Sequence, residues 1–373
     1  MPIQLEVDGS PDPDVLELLA PHYPRLDVVD FVNTPISTFH LIMDNHLAHM
    51  LRSSSLLQSI RLLALGDVSD TQVVPIRGEF PLLERLELDD IRASINNIRA
   101  PNLRVLRLTC TYNLTSLLDF LEACPRLEDL QLRFQHLDGE TPRFRRRIDW
   151  ENLRTLLLFR DGSRVLRHIS LPPGAKVNLI TRTIPEDMVV GQGNDDDLLQ
   201  AWSHLPMFRQ SRSLFLMIAG SFQTISLDGP NGYLRLKTPP AHLILKSFAQ
   251  HSIDTIRNLE VQGVSGNNFD FNLIPGFLRP LNGLSSLKLR RTTLSPWILA
   301  LDQEYCPQLR DLTLRQSPPS DCEGLVKFVM GRSKAGVPIH QLSVTKDVQD
   351  LFHTSDGKRR LEEHVQCVEW GIL

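Results

Sequence analysis

No stretch of this 373-residue chain approaches the roughly 18 uninterrupted apolar residues that a membrane-crossing helix needs, so no membrane partner is expected. Excess charge is also missing. With 40 basic against 44 acidic residues, the formal charge of −4 and pI near 6.3 supply no net attraction to nucleic acid. Cysteines are few, odd in number and scattered at 110, 124, 306, 322 and 367, which suits a reduced intracellular compartment, cytoplasm or nucleus, better than a disulfide framework. The opening "MPIQLEVDGSPDPD" has neither the basic nor the apolar part of a secretory signal, and the "NLT" sequon at 113 to 115 is therefore read as idle.

Catalytic signatures are equally scarce. No nucleophile elbow, Ser/His/Asp set or paired-carboxylate context stands out, and the chain is read as a non-enzyme without a cofactor. His46 and His49 lack the i, i+4 spacing and intervening Glu of a metalloprotease helix, and Asp195, Asp196 and Asp197 read as a helix cap, so no metal is expected. "GQGN" at 191 to 194 has no strand and helix around it in a nucleotide-binding arrangement. The basic run "RFRRR", 143 to 147, reads as a solvated loop.

What the chain has in abundance is leucine in a fixed spacing. Leu-x-x-Leu-x-Leu recurs six times, starting at Leu83, Leu103, Leu127, Leu153, Leu284 and Leu309, with steps of 20, 24 and 26 on the N-terminal side and 25 on the C-terminal side. Random placement would give roughly two matches and no regular interval. Looser versions start at Leu26, Leu57, Ile256 and Ile339. Each motif predicts a turn followed by a short strand, whose last two leucines alternate with exposed residues. Helical segments lie between: "DPDVLELLAPHYP", "TSLLDFLEACP" with a Ser/Thr cap, and "SPWILALDQEYCP" with Ser295 as N-cap and Pro296 at the first helical position.

Strand, turn, helix and turn at a period of 20 to 30 residues predict an α/β leucine-rich-repeat solenoid, a horseshoe with a parallel sheet on its concave face and helices on the convex one. The near-identical "CPRLEDLQL" at 124 to 132 and "CPQLRDLTL" at 306 to 314 are 182 residues apart, seven steps of 26, with Cys124 and Cys306 closing equivalent corners. Filling seven steps requires strands at Leu179, Leu216 and Leu236. "TISLDGPNGYLRLK" reads as a hairpin, and a long loop is expected near "PEDMVVGQGN". The expected organisation is N-terminal repeats over 1–159, irregular repeats with hairpin or loop decoration over 160–255, C-terminal repeats over 256–345 and a cap or tail over 346–373.

A monomer binding a protein on the concave face is the functional expectation. The residues flanking the core leucines there are Arg85, Glu87 and Asp89; Val105, Arg107 and Thr109; Asp129, Gln131 and Arg133; Thr155, Leu157 and Phe159; Ser286, Lys288 and Arg290; and Asp311, Thr313 and Arg315. Leu157 and Phe159 are the expected apolar anchors.

"FPLLERLEL", "APNLRVLRL", "ACPRLEDLQL", "PDPDVLELLAPHYPRLDVVDF" and "LRHISLPPGAKVNL" resemble the F-box proteins of mushroom-forming fungi over most of the chain. That resemblance implies a substrate-recognition role in a cullin ubiquitin ligase, joined to a Skp-type adaptor through an F-box. This sequence contains no Leu-Pro-x-Glu-Leu-Leu-x-x-Ile-Phe segment of that kind, so the adaptor is a partner only if an F-box precedes Met1. A free-standing repeat scaffold or ligand-binding protein is the alternative.

Overall fold

The computed structural model describes residues 1–35, 46–65, 76–89, 95, 97–138, 147–159, 163–180, 205, 210–219, 222–230, 232–237, 254–264, 270–302, 305–316, 322–350, 352 and 356–372. These fall into two compact units, Met1–Ile180 and Thr181–Leu373. Both are α/β.

The first unit carries the strands β1 (Ile3–Asp8), β2 (Leu26–Pro35), β3 (Ser59–Leu65), β4 (Arg77–Glu79), β5 (Arg85–Asp89), β6 (Asn97–Arg99), β7 (Val105–Asn113), β8 (Asp129–Asp138), β9 (Ile148–Asp149), β10 (Thr155–Phe159), β11 (Ile169–Ser170) and β12 (Lys176–Ile180). Its main sheet runs β1-β2-β3-β5-β7-β8-β10-β12, every pair parallel. Parallel neighbours need crossovers. Some are helical, as Leu114–Glu122 between β7 and β8; others contribute strands to the small ladders β4-β6 and β9-β11.

The second unit contains β13 (Ser213–Ala219), β14 (Phe222–Gly229), β15 (Gly232–Lys237), β16 (Asn258–Gln262), β17 (Ser286–Arg290), β18 (Asp311–Arg315), β19 (Gln341–Thr345) and β20 (Cys367–Ile372). From β13 onward, the order β13-β16-β17-β18-β19-β20 is parallel, with helices Leu294–Asp302 and Cys322–Lys334 among the crossovers. On its other edge β13 pairs antiparallel with β14, and β14 with β15. The expected hairpin is therefore present, but "YLRLK" is the third strand of an antiparallel meander. It is not a parallel strand between Leu216 and Val261, because those two residues are direct register partners. Leu236, opposite Ile225 on β14, therefore adds no step between Leu216 and Val261.

Leucine spacing and backbone hydrogen bonding act together at each strand entry. All eighteen leucines of the six strict motifs are at most 2% exposed, each contributing about 1.5–3 kcal/mol on burial. The first leucine of the triplet closes a tight turn, as where Leu83 N–H donates to Phe80 O, Leu103 to Ala100, Leu284 to Leu281 and Leu309 to Cys306. The carbonyl just before a strand then accepts two N–H groups from the next strand's entry: Glu84 O from Arg104 and Val105, Arg104 O from Glu128 and Asp129, Arg257 O from Ser285 and Ser286, Ser285 O from Arg310 and Asp311. Register is thus pinned at the same point each time.

Helix starts differ slightly from expectation. Asn113, not a Ser/Thr, caps Leu114–Glu122 by accepting from Thr115 and Ser116 N–H, and the helix around Pro296 begins at Leu294. Asp12 caps Pro13–Leu19. Cys124 and Cys306 are fully buried, and Cys306 takes a left-handed φ of 56° at its corner.

Candidate functional site

Strands β10, β17 and β18 alternate half-buried and buried residues, so one face of each sheet packs on the core while the other is left uncovered by it. In the first unit, register places Arg61, Glu87, Arg107, Gln131 and Leu157 along one row of that face, with Thr109, Arg133 and Phe159 along the next, where the Thr109 hydroxyl reaches Asp89.

Glu87 departs from expectation. Instead of lying exposed, its side chain is only 5% accessible and sits among three guanidinium groups: Arg85 at 3.2 Å, Arg61 at 3.5 Å and Arg107 at 3.5 Å. Arg61 also reaches Asp30 at 3.4 Å and Arg107 reaches Asp129 at 3.7 Å. Among the described residues these three cations and three carboxylates balance in charge, and the Glu6 carboxylate also acts on Asp30. Burial pushes the carboxyls of Asp30 and Asp129 above the ordinary range, against the opposing pull of Arg61 and Arg107 respectively. Thr109 is also buried, its hydroxyl donating to Asp89.

Beyond this set the chemistry changes. Arg133 is exposed and stacks over the Phe159 ring, 5.1 Å from its centroid. Phe159, Leu157 and Gln131 are each half-buried, so both expected anchors keep part of their surface open. A guanidinium on an aromatic face is a recurring arrangement in recognition surfaces, offering charge and apolar area at one point.

In the second unit, Lys288 is paired with Glu260 at 2.9 Å, while Arg290, Asp311 and Arg315 are half-buried on the same face. A cleft of ≈ 500 Å³ opens here. Phe215, Ser226, Asp228, Tyr233 and Arg235 from the meander line it, facing Asn258 and Glu260 of β16 and Lys288 of β17. Of these only Lys288 was legible as a surface residue beforehand. For Ser226, Asp228, Tyr233 and Arg235 the signal is the alternation in "TISLDGPNGYLRLK", which places them on one side of the hairpin.

Burial pushes the Cys124 and Cys306 thiols up to about 12, so both are corner fillers. The His49 ring packs on Tyr23 with centroids 5.7 Å apart. Asn113 spends its side chain on the helix cap. Asp195 to Asp197, "GQGN" and residues 143 to 146 of the basic run lie outside the described residues. Among the described residues no group of three or more His, Cys, Asp or Glu could hold a metal ion, and no helix is long and apolar enough to cross a membrane. Neither a family model nor a curated protein matches the chain.

Proposed function

We propose that this chain is a leucine-rich-repeat solenoid that binds another protein through its open strand face, as the substrate-recognition part of an F-box-type ubiquitin ligase. The Arg133 guanidinium stacked on a half-exposed Phe159, with Leu157 and Gln131 beside it, carries the reading. The neighbouring charges neutralise one another, whereas this patch offers a cation and apolar surface together, the composition of an interface anchor. The ligase role rests on the resemblance to fungal F-box proteins.

Affinity capture from fungal lysate with wild-type and Phe159→Ala chains, each captured protein quantified, tests the surface. Losing a central anchor worth about 2 kcal/mol weakens a bound partner roughly 30-fold. Equal recovery of every protein by both chains rules the patch out. A complete reading frame without an F-box removes the ligase role and leaves partner binding standing.

A further inference from the structure

The cleft of the second unit holds two charges that the fold keeps apart. In the antiparallel pair β14-β15, Ser226 lies opposite Arg235 and Asp228 opposite Tyr233, and all four side chains share one face. The Tyr233 hydroxyl donates to Ser226 Oγ at 3.1 Å, so the tyrosine spans one diagonal of this four-residue square. Asp228 and Arg235 occupy the other two corners, on either side of the ring. Neither has a hydrogen-bonded or ion-paired side-chain partner among the described residues, and Arg235 Nε is shut off from solvent. A guanidinium N–H shut away from water without an acceptor is destabilising, and a bound acceptor would relieve it. Two opposite charges on adjacent strands would ordinarily pair, and the tyrosine bridge stands between them.

Around this square the other groups are already engaged. Glu260 holds Lys288, and Asn258 Nδ2 donates to Ser213 Oγ at 3.2 Å. Phe215 forms a half-buried apolar floor. The charges left without a side-chain partner among the described residues are therefore exposed Asp228 and half-buried Arg235, flanking an aromatic ring in a cleft of ≈ 500 Å³, within the size range of small recognition sites.

We propose that this cleft takes a short extended segment of a protein partner bearing one acidic and one basic side chain close together in sequence. The acidic group meets Arg235 and the basic group meets Asp228, while the intervening chain crosses Tyr233 and Phe215. Charge complementarity sets the choice, since a purely acidic segment would meet Asp228 and a purely basic one Arg235. The proposal rests on the protein-binding reading above but uses a different surface from the Arg133 and Phe159 patch.

Four fluorescein-labelled, end-capped peptides on a common Gly/Ser backbone serve as probes, with Glu and Lys, Glu and Glu, Lys and Lys, or Gln and Gln at two positions separated by one residue. Fluorescence anisotropy with the full chain at low salt is expected to show the Glu/Lys peptide at least 10-fold tighter than the Gln/Gln peptide. Arg235→Glu should transfer the preference to the Lys/Lys peptide, and Asp228→Lys to the Glu/Glu peptide; a misfolded variant would switch nothing. Tyr233→Ala, which lets Asp228 and Arg235 pair, should lose the Glu/Lys preference although both charges remain. Equal binding of all four peptides, no binding up to millimolar concentration, or a Glu/Glu preference in the wild type each overturns the two-charge site. Phe159→Ala should bind the Glu/Lys peptide unchanged, so failure of the cleft and failure of the partner patch show up in different measurements.

Discussion

Glu87 concentrates the electrostatics of the first unit at one carboxylate. A buried anion is costly unless paired, and here three half-exposed arginines pair it. Glu87→Ala leaves Arg61, Arg85 and Arg107 to repel one another, and a loss of about 2 kcal/mol is expected in urea denaturation, below the 3–5 kcal/mol of a fully buried pair because the arginines keep their water. Asp30 and Asp129 act in the opposite sense. Their folded pKa values are raised, so between the unfolded value and the raised one the native state holds more protons than the unfolded state. Stability from these two groups therefore grows as pH falls through that window and is lost as pH rises. Replacing both by Asn should make the pH dependence of stability steeper in the usual acid-labile direction, measured from neutral pH down to the unfolded carboxylate range; an unchanged slope would contradict the raised values. The burial of Glu87 was not visible in the sequence, because its three partners come from three strands and alternation alone marks it as outward-facing.

At the scale of the element, the strands were legible and their neighbours less so. Leu-x-x-Leu-x-Leu fixes both the entry turn and the inward side, and all six strict motifs became buried strand entries. Helix starts shifted by two or three residues, since Asn113 and Thr115 or Ser116 are all acceptable caps and only the backbone decides among them. The hairpin in "TISLDGPNGYLRLK" is legible, whereas the place of "YLRLK" in the sheet is not: it alternates whether its neighbour is parallel or antiparallel, and hydrophobic pattern carries no strand direction. Strand exits show a second regularity that composition hides. Gly263, Arg291 and Gln316 each follow a strand, β16, β17 and β18, with φ of 79°, 50° and 49°. Only the first is glycine, and only there would a Cβ be driven into the Ile218 carbonyl. Gly263→Ala combines that overlap with a left-handed backbone and should cost about 2–4 kcal/mol in the same denaturation assay. A cost below the error of the assay would mean that β13 yields easily at Ile218.

Across the whole molecule, each unit buries its own leucine core, and among the described side chains each carries one sealed thiol, Cys124 in the first and Cys306 in the second. Alkylation at pH 8 is expected to modify exposed Cys367 readily in the folded chain and to leave both sealed thiols untouched until denaturant is added, with modified sites read by mass spectrometry. Labelling of Cys124 and Cys306 then reports the opening of each core separately; fast labelling of either without denaturant would contradict its burial. The doubly accepting carbonyls at the strand entries bear on a different property, the response to load. In the second unit Arg212, Arg257, Ser285, Arg310 and His340 each take hydrogen bonds from the entry of the next strand, the last from Cys367. Tension applied at the C-terminus meets these clasps one after another. β20 should part first, then β19, then β18, giving a sawtooth of modest forces in place of a single rupture.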